Sequence, residues 1–150
     1  MNESMQGKGK DLTKVAPRSP HERLGGFAII ARTIDKCRAL LWGTVGEYHF
    51  DCPLDNQLFS FKGIRGDDFK TFVETGASDA DIAEWVRENG ASKTDAEISE
   101  WSDAAERNNY DGEAPEKKKW LSDSCEKLGI DKDSTLFDYL DADDRASFAT

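Results

Sequence analysis

The chain lacks any long apolar run. Its longest, Phe27–Ala31, falls far short of the roughly 18 residues that cross a bilayer. The first residues, Met1–Leu12, are polar and glycine-bearing and hold no apolar secretory segment. A soluble, cytoplasmic protein with no membrane partner is therefore expected. Cysteine is sparse and unpaired in pattern: Cys37, Cys52 and Cys125 are widely spaced and form no CxxC. That spacing argues against a zinc site, and the odd count argues against a disulfide framework. Phosphate loops are missing too, since Gly43-Thr44-Val45-Gly46 is too short and has no lysine in place. Asp131–Thr135 opens like a calcium loop, but Leu136 and Ala142 fall where glycine and a bidentate glutamate are needed. No metal and no cofactor is expected, and Asp141, Asp143 and Asp144 read as a solvated helix end.

Present instead are 150 residues, 37% apolar and 33% charged. This is enough apolar material for one packed domain and too much for a disordered acidic tail. The net charge of −10 is uneven: residues 1–50 hold 8 Lys/Arg against 5 Asp/Glu, and residues 51–150 hold 12 against 25. The larger part would repel phosphates, so nucleic acid is not an expected partner. The basic first third either packs on the acidic remainder or offers a basic patch to an anion.

Apolar spacing predicts a mainly α protein: a leader over 1–18, flexible and without regular structure, then a single helical domain over 19–150. Ser19, Pro20 and Glu22 form a helix-start pattern. Leu24, Phe27, Ile30, Ile34, Cys37 and Leu41 then recur at three- and four-residue steps, predicting one helix from Ser19 to Trp42. Gly25 and Gly26 lie inside it at a cost of roughly 1–2 kcal/mol, which close packing or a bend must offset. Residues 43–55 are the least helical. Short helices are expected over 55–62 and 67–75. An internal near-repeat follows, Ser78–Trp85 against Thr94–Trp101, each copy opening with a cap residue and an acid three positions on. It predicts a helical hairpin with Trp85 and Trp101 inward. Two further helices are expected, one over 115–128 with Trp120 inward and one from Ser134 toward Ala146, with a fraying tail from Phe148 to Thr150.

Candidate functional residues gather around the irregular segment. Arg32, Lys36 and Arg38 lie late in the first predicted helix. With Asp35 they could form a surface ion-pair ladder worth a few tenths of a kcal/mol per pair. Alternatively they line an anion pocket with Tyr48 and His49 as added donors. His49 and Cys52 could pair as a thiolate nucleophile, with Glu47 and Tyr48 available for proton transfer. The plain alternative is a structural elbow stiffened by Pro53. Trp42, at a helix end beside this segment, could wall a pocket, whereas the other tryptophans read as core anchors. His21, in a first helical turn, reads as exposed.

Leu12-Thr13, Pro17-Arg18-Ser19-Pro20, Leu24-Gly25-Gly26, Ile34–Arg38, Gly46-Glu47-Tyr48 and Cys52-Pro53-Leu54-Asp55 together resemble a bacterial family of small proteins, domain of unknown function 5069. The resemblance runs from about Leu12 to the Leu140–Asp144 end. It implies a bacterial, cytoplasmic setting and one domain, and carries no catalytic residue. Three functions remain open: a non-enzymatic binding or regulatory module for a protein partner or small anion, a small enzyme with a site between the first helix and residues 43–55, and a self-assembling protein.

Overall fold

The computed structural model describes residues 9–149; the first eight residues of the expected leader and Thr150 lie outside them. Seven helices follow one another: α1 (Ile30–Trp42), α2 (Pro53–Lys62), α3 (Gly66–Glu74), α4 (Asp79–Glu88), α5 (Asp95–Arg107), α6 (Pro115–Lys127) and α7 (Leu136–Ser147). No strand forms among the described residues; the one β-type pairing is an isolated bridge between Leu24 and Phe27. The fold is mainly α. No helix of the described chain is long and apolar enough to cross a membrane.

α1 is the central element. It packs against α2, α3 and α4, and ten of its thirteen residues are buried, from Ile30 through Leu41. Ile30, Ile34, Cys37 and Leu41 face the main core with Phe27, Leu58, Phe59, Phe69, Val73, Ile82, Val86 and Ile98. A helix buried on all sides is ordinarily apolar all round. This one also buries Arg32, Thr33, Asp35 and Lys36, so each needs a partner inside the protein.

The first helix begins eleven residues later than the capping pattern predicts. Gly25 and Gly26 take positive φ, 58° and 85°, which a helix cannot accommodate, and Leu24 and Phe27 close a tight turn through two backbone hydrogen bonds of 3.2 and 3.0 Å. Ser102 on α5 holds this turn. Its hydroxyl, fully buried, donates to Gly26 O at 2.8 Å and accepts from Ala28 N at 2.9 Å. The cost of the glycine pair is thus offset by a clamp from α5, not by bending a helix. Ser19 caps only a local turn, accepting from His21 N at 3.1 Å.

The near-repeat gives α4 and α5, each with its capping box: Ser78 with Asp81, and Thr94 with Glu97. Ile82 and Ile98 enter the same core, but α5 does not lie along α4 as a hairpin partner. The link between them is pinned elsewhere. Ala91 N donates to Lys62 O at 2.6 Å, and the buried Lys62 ammonium donates to Arg87 O and Ala91 O. A side chain at Gly90 would collide with Lys62 O.

α6 and α7 pack on each other around Leu121, Cys125 and Leu136. Phe137 ties α7 to Ala28 and Ile29 at the start of α1. Trp120 is turned outward, 48% exposed, against the expected inward anchor; its ring makes a T-shaped contact with Tyr139 at 5.3 Å. The buried face of α6 is built from Leu121 and Cys125 alone.

Candidate functional site

Residues 9–18 form neither helix nor strand, yet they are anchored: Leu12 and Pro17 are buried, and Leu12 N donates to Thr44 O at 2.9 Å. This brings Leu12 against the 43–52 segment. Together with α1, the start of α2 and the outer half of α7 they enclose an open cavity of about 740 Å³. Its walls are largely apolar: Leu12, Pro53, Leu54, Leu136, Leu140 and Phe148. Tyr110 also lines it, from the loop before α6. Phe148, expected to fray, is half-buried and stacks on Tyr48 with ring planes 8° apart.

The floor carries two charged groups one helical turn apart. Arg32 makes a two-pronged ion pair with Asp144, at 2.7 and 3.3 Å, with both side chains buried. Tyr48 donates its hydroxyl to Asp144 at 2.7 Å, and the Arg32 guanidinium lies 5.6 Å from the Tyr48 ring centre. Burial, and then this hydrogen bond, push the Tyr48 phenol above its ordinary range, so it stays neutral and donates.

Lys36 is the second group. Its ammonium lies 2.9 Å from Asp55 Oδ1 and 3.3 Å from Cys52 Sγ. Asp55 is wholly buried and collects further donors: Thr33 Oγ1 at 2.7 Å, Asp51 N at 2.9 Å and Cys52 N at 3.4 Å. The local sequence explains this. Cys52 is the N-cap of α2, Pro53 opens the helix, and Asp55 turns back onto the preceding backbone as in a capping box.

The other face of α1 carries a separate network. Asp35 accepts from Arg18 Nη2 at 3.0 Å and Arg18 N at 2.8 Å. Asp79 takes Arg18 and Arg38, each at 2.8 Å. Burial alone would raise the Asp79 carboxyl, but the two guanidiniums outweigh it and hold it below the usual carboxylate range. The expected surface ladder within α1 does not form, because each of its charged residues pairs with a group from another segment.

Of the residues singled out by sequence, Arg32, Lys36, Glu47, Tyr48, His49 and Cys52 line one cavity. Arg38 does not; it is held by Asp79 and by Ala77 O at 3.0 Å. Trp42 does not either; it packs against the main core. His49 is exposed at the rim, and the hydrogen-bond partner of Cys52 Sγ is Lys36 in its place. Sequence reasoning missed Asp144, which it placed on a solvated end. Asp144 lies seven and four residues beyond Phe137 and Leu140, on the inward stripe of α7, and that spacing was the available signal.

His21 lies away from the cavity. Its Nε2 is 3.0 Å from Asp138 Oδ1 and 3.8 Å from Asp141 Oδ2, and its ring meets Phe137 edge-on. These three are the one group among the described residues that could hold a metal ion. Two of its members, His21 and Asp138, already share a hydrogen bond, and Asp138 is exposed.

A family model described as "Domain of unknown function (DUF5069)" matches residues 14–146. The chain belongs to this family. The match takes in every element lining the cavity except Leu12, Thr13 and the Ser147–Phe148 end. No curated protein matches the sequence significantly.

Proposed function

We propose that this DUF5069 domain is a binding module for a small, largely apolar molecule with one polar end. The observation that carries the reading is the cavity: apolar walls with two fixed polar groups among them, Arg32 with Tyr48 and Lys36 with Cys52, backed from behind by Asp144 and Asp55. Its volume falls within the ~300–1,000 Å³ usual for small-molecule sites, which are mostly apolar with a few placed polar groups. Pairing of Arg32 and Lys36 with buried carboxylates favours a neutral polar or carbonyl head, which can accept a hydrogen bond, over a free anion. Glu47 and Asp143 at the lining add to this preference. A protein partner has less support: the large apolar side chains left exposed, Val15, Leu40 and Trp120, stand on three different segments, whereas a docking face needs a contiguous patch.

The test is titration of the labelled protein with 1-nonanol, followed by amide NMR. Saturable shifts confined to residues lining the cavity, abolished by Leu140→Arg in a folded variant, support the reading. Shifts spread over the surface, or unchanged by Leu140→Arg, contradict it.

A further inference from the structure

The three cysteines occupy different surroundings. Cys37 is wholly buried on α1, and burial pushes its thiol up to about 12. Cys125 is buried on α6, and burial raises its thiol as well. Among the described residues, neither receives a hydrogen bond from an ammonium. Cys52 lines the cavity, with its sulfur 3.3 Å from the Lys36 ammonium and at the N-terminus of α2. Lys36 donates a hydrogen bond to this sulfur, which holds it at a fixed place on the cavity wall.

The cation is also immobile. Lys36 is only 3% exposed, and its partner Asp55 is fixed by Thr33 and by the backbone of Asp51 and Cys52. A surface lysine would swing away, whereas this one is held beside the sulfur. Asp55 and Cys52 occupy two of its three N–H donors, leaving one for an oxygen brought into the cavity.

We infer that Cys52 is a nucleophile that captures apolar α,β-unsaturated aldehydes or ketones, a proposal that rests on the cavity's binding an apolar molecule. The sulfur forms a bond to the β-carbon of the electrophile. The C=C π pair shifts toward the carbonyl, giving an enolate whose oxygen faces the remaining Lys36 N–H, the kind of fixed donor that stabilises developing charge. The thiol's proton, released to solvent, is recovered at the α-carbon. The product is a saturated thioether carbonyl; no group leaves, and no oxidant or reductant is required. The hydrocarbon tail lies against Leu54, Leu140 and Phe148.

The experiment follows adduct formation by intact mass and peptide mapping, using trans-2-nonenal and, as a small polar acceptor, acrylamide. One nonenal adduct per chain is expected, on Cys52 and not on Cys37 or Cys125, formed roughly tenfold faster than with N-acetylcysteine, the scale of one charge-assisted hydrogen bond. The double variant K36M/D55N removes the cation together with its buried counter-ion; if dichroism shows it folded, the rate should fall to that of N-acetylcysteine. If it does not fold, the comparison among the three cysteines of the unaltered chain decides. Labelling of Cys52 no faster than N-acetylcysteine, while nonanol still binds, overturns the nucleophile and leaves the binding site. Absence of nonanol binding, with no preference for nonenal over acrylamide, overturns the reading on which both rest.

Discussion

Arg32 and Asp144, 112 residues apart, meet in a buried two-pronged ion pair at 2.7 and 3.3 Å. Through it the last helix is clasped to the central one, and the cavity between them acquires its polar floor. Removing one partner leaves an uncompensated buried charge, which costs about 3–5 kcal/mol. Arg32→Met and Asp144→Leu should each lower the unfolding free energy by that order in urea titrations. The double variant should recover much of the loss, because no lone charge remains. Equal, additive losses would show that the two do not act as a pair.

Ser102 offers a second test. Its hydroxyl accepts from the buried Ala28 N and donates to Gly26 O. Ser102→Ala removes one hydroxyl yet strands the buried Ala28 N–H, so a loss of about 1–3 kcal/mol is expected by urea or thermal unfolding. A change within experimental scatter would mean that the glycine turn is held by other contacts.

Acid should loosen the Arg18–Asp79–Arg38 network. The Asp79 carboxyl sits below its ordinary value of 3.8 in the folded state. A depressed carboxyl contributes stability that is fully present above the unfolded value and is lost as pH falls through the folded one. Stability should therefore hold above that value and drop below it, and Asp79→Asn should flatten the drop. The group is more than a third exposed, so the Asp79 share is modest, and added salt should reduce it further.

Alkali acts with the opposite sign through Cys37. Its thiol is pushed up to about 12 from an ordinary 9.0, chiefly by burial. A raised value contributes stability that is complete below 9.0 and is lost as pH rises toward about 12. The slope of unfolding free energy with pH in that window should shrink in Cys37→Ala, even though this variant starts less stable through lost packing. An unchanged slope would place the alkaline sensitivity elsewhere, with Tyr48 the next residue to test.

What could be read from sequence was what depends on near neighbours. Ser78 with Asp81 and Thr94 with Glu97 announce α4 and α5 because a capping box closes within four residues. The Ile30–Leu41 stripe likewise announces α1. What could not be read depends on distant partners. The pattern at Ser19 is equally good locally, but Gly25 and Gly26 are taken by a turn that Ser102 stabilises from 76 residues away. Arg32, Asp35, Lys36 and Arg38 look like a solvent-facing ladder until Asp144, Arg18, Asp55 and Asp79 arrive from four other places in the chain. The cavity was legible as a neighbourhood, α1 beside residues 43–55, while its far wall, Leu136, Leu140 and Phe148, comes from a helix nearly a hundred residues on.

The most direct trial of the account is the 1-nonanol titration of the full chain, read by amide NMR. An apolar binding cavity predicts saturable shifts at Tyr48, Cys52, Leu54, Leu140 and Phe148 that vanish in folded Leu140→Arg. Shifts that avoid these residues, or that persist in that variant, would contradict it.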